Sequence, residues 1–212
     1  MNKLIFTLVA ILLLNFLPLI GRPELMLHYK TMVLALAAAS LWLSQPAFKS
    51  SEMKRDQGSD RFSILVILLM TSLSVVAAVW EWAYRTDPSV SSLPLTLAGA
   101  ALLVSGIFIR VWAIQTLGKH FTATVTLTEG HRLVRSGPYR LVRHPSYLGA
   151  FAAIVGTPVF LNAHWAILVA VLAMSLAYYL RIGVEEKMLL DNFGQEYQEY
   201  MQHTKRIIPF IW

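Results

Sequence analysis

Residues 147–180 read YLGAFAAIVGTPVFLNAHWAILVAVLAMSLAYYL. The run is too long for one crossing of a bilayer core about 30 Å thick, and it carries its own break. Pro158 removes a backbone donor, while Asn162 and His164 are polar turn formers. The stretch therefore predicts a helical hairpin over 146–160 and 163–180, with a first arm that is short, tilted or re-entrant.

Upstream, four apolar runs at 4–20, 31–48, 62–84 and 93–117 are also long enough to cross. The chain has 212 residues, 56% of them hydrophobic and 14% charged. Soluble domains average roughly a quarter charged, so the composition specifies an all-α polytopic integral membrane protein with about six transmembrane helices. A single membrane domain, 1–212, leaves no room for a soluble one. Cysteine is absent, which excludes disulfides, thiolate metal sites and cysteine nucleophiles together. No Gly-rich phosphate loop or dinucleotide fingerprint follows a predicted strand. Lys3 precedes a first run whose apolar core is long and lacks a small-x-small cleavage site, so it reads as an anchor and not a signal peptide.

The formal net charge of +6 comes from lysines and arginines beside apolar spans, a pattern of membrane orientation and not of nucleic-acid binding. With six crossings, fourteen of the eighteen basic residues fall on the side holding the N-terminus, the 119–143 linker and the C-terminal tail. Arg22, Lys30 and Arg85 fall opposite, and Arg110 lies inside the fourth span. The positive-inside rule then puts the N-terminus, linker and tail in the cytoplasm. Over 184–203, Met188, Leu189, Phe193, Tyr197, Tyr200 and Met201 recur at helical spacing, which predicts an amphipathic C-terminal helix bent at Gly194. Pro209 ends it, and Phe210 and Trp212 suit an interfacial anchor.

The linker is unusual for a mere topology signal. Gly137-Pro138 and His144-Pro145 impose turns that hold Arg140, Arg143 and His144 on a rigid segment. Ser146 is positioned to cap the following helix and offer its N–H groups to an anion. Glu185-Glu186 follows the hairpin's second arm on the same face, so the hairpin is expected to join a His/Arg cluster to a carboxylate pair. Cationic, anionic and stacking groups together suit a zwitterion bearing carboxylate, amine, ribose and purine, although composition does not single that ligand out. Plainer readings exist for each part. Tyr139 and Tyr147 fit an interfacial aromatic belt, Glu185-Glu186 a solvated helix start, and Arg110 either snorkels or faces the site. No serine stands in a nucleophile elbow, which argues against a hydrolase triad. The spacing of His120, His131 and His144 matches no helical metal motif.

LGKHFT (117–122), EGHRLVRSGPYRLVRHPSYLG (129–149) and RIGVEEKMLLDNFGQEYQEYMQHTKRIIPF (181–210) together carry a resemblance. In order and spacing they resemble the isoprenylcysteine carboxyl methyltransferase family, part of a wider group of membrane methyltransferases that includes the phospholipid methyltransferases. The resemblance divides the chain into N-terminal transmembrane helices, 1–108, and a methyltransferase core, 109–212. It implies S-adenosylmethionine as methyl donor, in a pocket open to the cytosol and formed by Thr126, His131, Arg132, Leu133, Val134, Tyr139, His144, Pro145, Ser146, Tyr147 and Glu185. It assigns catalytic roles to Arg181 and Glu185, acceptor binding to Arg181 and Arg110, and no metal.

The implied partners are the bilayer and a lipidic or prenylated acceptor entering sideways between spans, with no nucleic acid. The implied setting is a prokaryotic cell membrane. A carboxylate acceptor is ionised at neutral pH and needs no general base. An amine acceptor, as in the phospholipid methyltransferases, would need one, for which Glu185 or Glu186 is available. A sterol-type reductase and an accessory membrane protein that retains the fold are the competing classes.

Overall fold

The computed structural model describes residues 3–45, 58–121 and 132–208. Among them the fold is all-α, the architecture of a multi-pass membrane protein. α1 (Lys3–Ile11) continues through a π-turn, Leu12–Phe16, and a 3₁₀ turn to Leu19, where Pro18 tightens it. It is followed by α2 (Tyr29–Ser44), α3 (Gly58–Tyr84), α4 (Leu93–Leu117), α5 (Pro145–Leu161) and α6 (His164–His203). Three of these, α3, α4 and α6, are long and apolar enough to cross a membrane; Lys3–Leu19, Tyr29–Ser44 and Pro145–Leu161 are shorter. Leu69, Val104 and Leu172, each more than 60% exposed, stand on outward faces, where lipid and not water is the compatible surrounding.

The hairpin forms as the sequence predicts, one residue later than expected. Pro158 stays inside the last turn of α5, and the chain reverses at Asn162, which adopts φ 62°. Asparagine tolerates this left-handed conformation better than most residues. Its side chain fixes the turn to α4, accepting from Ser92 N at 2.7 Å and donating to Thr96 Oγ1 at 3.0 Å. The free N–H groups opening α6 are met by buried Glu81 of α3, which accepts from Trp165 N at 3.1 Å and Ala166 N at 2.7 Å. A carboxylate is favoured there by the positive end of the helix.

One expectation is corrected. The first half of the amphipathic tail, to Phe193, runs on from the membrane arm as one helix, and only the second half, 195–203, stands beyond a break. The bend falls at Gly194, at φ 49° and ψ −121°. The expected anchor residues Phe210 and Trp212 lie outside the described residues.

Successive elements run in alternating directions. Lys3 Nζ donates to Leu43 O at 2.6 Å, Asp60 pairs with Arg181, and Arg110 reaches Ser146, so these ends share one face. Arg22 donates to Ala83 O at the other. α4 and α5 pack closely because glycines face each other. A Cβ on Gly106 would lie 2.5 Å from Ala153 N and 2.6 Å from Gly149 O, and one on Gly99 would lie 2.1 Å from Phe160 N. Small residues permit such backbone approach where lipid gives no hydrophobic drive. Gly106→Ala is therefore expected to destabilise the protein by about 3 kcal/mol, the upper end for overpacking. Gly183→Ala, whose added carbon meets nothing within 4 Å, should leave the detergent melting midpoint nearly unchanged.

Candidate active site

The segment before α5 is held by the tail. Gly137 takes φ 57° against Thr116, and the 3₁₀ turn Gly137–Arg140 then brings Tyr139 under the end of α4, where Tyr139 Oη lies 3.4 Å from Ala113 O. Burial, reinforced by the Glu185 carboxylate, pushes the Tyr139 phenol up, so it stays a neutral donor. Tyr200 Oη donates to Tyr139 O at 2.5 Å. Val142 and Lys205 form a parallel bridge, with Arg143 N donating to Lys205 O at 2.8 Å and His144 N to Arg206 O at 2.9 Å. The backbone thus fixes Arg143 and His144 before any side chain acts.

Glu186 ties the two segments together. It accepts from Arg143 Nε at 2.9 Å and Arg206 Nε at 2.9 Å, and His144 Nε2 lies 3.3 Å away. Arg143 also donates to Thr204 O. Glu185, on the neighbouring helical position, is 29% exposed. It accepts from Tyr147 Oη at 2.7 Å, and its other oxygen lies 3.9 Å from His144 Nδ1. Arg181, one turn earlier, donates from Nε to Tyr147 Oη at 3.2 Å and from Nη1 to Asp60 and to Ser63 Oγ, the latter at 2.9 Å. Arg110 faces inward, 8% exposed, and donates to Ser146 O at 3.0 Å. It does not snorkel.

These groups open on a cavity of about 250 Å³. Its polar end is walled by Tyr139, Arg143, His144, Tyr147, Arg181 and Glu185, together with Leu133, Val134, Ser146 and Arg110. Its apolar end reaches between α1, α2 and α3, past Leu14, Leu34, Ile67 and Val75. From Ile64 to Val75 the α3 wall alone extends about 16 Å, at 1.5 Å per residue.

Four of the sequence-predicted positions stand apart. Thr126 and His131 lie outside the described residues. Arg132 is exposed and Pro145 is buried at the first turn of α5, and neither lines the cavity. Two expected roles also change. Ser146 does not cap α5, because Pro145 takes the N1 position and makes His144 the cap residue. Tyr147 already stacks on His144 and Tyr178, at centroid distances of 5.7 and 5.0 Å, so its hydroxyl is the part engaged at the site.

Asp60, Ser63, Arg206 and Tyr197 belong to the site without having been singled out for it. Asp60 offers only the signal of an acid opening an apolar span. Tyr197 reads as one more apolar-face aromatic. Its hydroxyl is nonetheless buried, unpartnered among the described residues, and part of a residue in the cavity wall. Such an orphaned donor in a wall that also offers Arg143, His144 and Glu185 fits a polar ligand carrying both charges.

The model of the isoprenylcysteine carboxyl methyltransferase family matches residues 99–191. A probable protein-S-isoprenylcysteine O-methyltransferase of Oryza sativa subsp. indica is 34% identical over 119 residues, covering 55% of this chain and 62% of that protein. The protein-S-isoprenylcysteine O-methyltransferase of Tribolium castaneum is 38% identical over 119 residues, covering 55% and 42%. That of Saccharomyces cerevisiae is 34% identical over 125 residues, covering 58% and 52%. The matched stretch thus spans about half the length of these relatives. A solved structure of the eukaryotic intramembrane Ras methyltransferase of this family superposes with a TM-score of 0.66 at 28% identity, covering 99% of this chain and 75% of the other. The agreement extends beyond the core motifs to the N-terminal helices that wall the cavity. Residues 99–191 thus match the isoprenylcysteine carboxyl methyltransferase family, and the chain as a whole shares the fold of that solved structure.

Proposed function

We propose that this protein is an S-adenosylmethionine-dependent membrane methyltransferase that methylates the carboxylate of a lipidic, prenyl-like acceptor. The observation that carries the reading is the single cavity, charged at one end and apolar for about 16 Å at the other. A polar donor and an apolar-tailed acceptor would meet where Arg181, Tyr147 and Glu185 stand.

His144 and Glu185 would hold the donor, with Tyr139 and Tyr197 supplying aromatic faces and hydroxyls, and Thr126, His131, Arg132 and Pro145 completing or backing the pocket. Bound there, S-adenosylmethionine supplies a methyl group already activated by its sulfonium. What remains for the protein is placement and water exclusion, which together supply several kcal/mol of such a barrier. Arg181 would pin one carboxylate oxygen of the acceptor and leave the other to attack, while Arg110 adds positive charge at the same depth. Tyr147, hydrogen-bonded to both Arg181 and Glu185, fixes their separation.

The linker, tail and donor mouth face the cytoplasm in this reading, as the basic bias demands. The chain crosses a prokaryotic cell membrane six times, its three shorter helices lying near the lower limit of about 17 residues. Residues 109–212 form the donor-binding core, and 1–108 wall the acceptor lobe.

Isothermal titration of the purified chain in detergent tests the donor site. Wild type is expected to bind S-adenosylmethionine, and Glu185→Ala and His144→Ala to bind it at least tenfold more weakly. Absence of binding, or equal binding by all three, would sink the assignment. Incubation with isotopically labelled donor and membrane extract should then label a lipidic acid.

A further inference from the structure

Arg181 is read above as the residue that receives the acceptor's carboxylate, yet its guanidinium already carries one. Asp60, in the first turn of α3, reaches Arg181 Nη1 from 121 residues away in sequence. Ser63, further along α3, accepts from the same nitrogen at 2.9 Å. Both charged side chains are only 5% exposed. Asp60 makes this contact at the end of the helix whose later turns line the apolar lobe.

We infer that Asp60 is a specificity-determining residue of the acceptor site: it is the resident counter-ion of Arg181, which an incoming carboxylate must replace. This rests on the carboxylate reading of Arg181. A guanidinium at this depth is costly without an anion, so the ligand-free site needs an internal one. When an acid acceptor arrives, two carboxylates compete for one cation, and their mutual repulsion weakens acid binding. Once the methyl ester forms, the ligand oxygen is neutral and Asp60 recovers the guanidinium. Asp60 therefore positions Arg181 in the empty enzyme and narrows the preference of the site for acid over ester.

The test is calorimetric titration of the full chain in detergent with an N-acylated S-prenyl cysteine and, separately, its methyl ester. Neither titration needs turnover. Asp60→Asn is expected to raise the acid-to-ester affinity ratio about tenfold, chiefly by tightening the acid. Its melting midpoint should fall without ligand and recover with the acid. Asp60→Glu, which keeps the charge, should show the wild-type ratio.

Weaker acid binding by Asp60→Asn, or an equal change for acid and ester, overturns the inference. Wild type that binds neither ligand overturns the carboxylate reading itself, and the inference with it. Should Asp60→Asn fail to fold, the neutral pair Asp60→Asn/Arg181→Gln leaves no unpaired buried charge. Its acid-to-ester ratio is expected at least about threefold above that of Arg181→Gln alone, in which an unpaired Asp60 repels the acid. A ratio equal to that of Arg181→Gln alone would show that Asp60 does not oppose the acid, and overturns the inference.

Discussion

Arg181→Ala is expected to lower kcat/KM for methyl transfer about a thousandfold while donor affinity changes only a few-fold. The expectation follows from how the site divides. The side chain of Arg181 contacts Tyr147, Asp60 and Ser63, whereas Arg143, His144 and Glu186 are joined through the linker and tail. Removing the guanidinium leaves the acceptor carboxylate facing Asp60 with no cation between them, and it frees the Tyr147 hydroxyl on that side. Arg181→Lys should recover little, because one ammonium cannot reproduce a planar fork that donates from two different nitrogens. Transfer of labelled methyl to an S-prenyl cysteine, measured beside donor titration, checks both halves. Activity retained within tenfold of wild type would remove Arg181 from the chemistry.

Glu186→Ala should act differently, through the fold of the site. Glu186 is 4% exposed and holds Arg143 and Arg206 on its two oxygens, with His144 beside it. Its loss leaves buried Arg143 without its charge partner, at a cost of about 3–5 kcal/mol. The backbone bonds between 142–144 and 205–206 and the Tyr200–Tyr139 contact then hold the tail without its buried charge tie, and the tail is expected to loosen. The measurable results are a lower melting midpoint in detergent, protease cleavage near residues 203–208, and donor affinity reduced more than a hundredfold. Glu185→Ala is the useful contrast. Glu185 is partly exposed and its loss should weaken donor binding with little effect on melting. If both variants melt alike and bind alike, the division of labour between the two adjacent glutamates is wrong.

That division was not legible in the sequence. Glu185 and Glu186 are chemically identical neighbours, and a helix turns by about 100° between them. Which one faces the cavity and which one faces the tail depends on how α6 is rotated, and that is set by its packing against α3 and α5. The same holds for Arg110, whose two readings, snorkelling or inward, differ only in helix rotation. For Ser146 the sequence misled for a local reason: a proline at N1 moves the cap one residue back, to His144.

Local patterns did fix the broad plan. Apolar length gave four upstream runs and a hairpin, because a bilayer demands long apolar helices with satisfied backbones. Pro158 and Asn162 placed the hairpin turn to within a residue, since they act through their own backbone geometry. Gly194 placed the bend for the same reason. The cluster of His144, Tyr147, Arg181 and Glu185 was foreseen because a hairpin with arms of similar length returns to the face it left.

What only the tertiary structure decided is the company those residues keep. Asp60 pairs with Arg181, Arg206 with Glu186, and α1 to α3 close an apolar lobe over the polar mouth. Such pairings join elements far apart in the chain, and each element's own sequence is equally satisfied by several neighbours. The choice among them is made by close packing, as where Gly106 and Gly149 admit α4 and α5 to backbone contact.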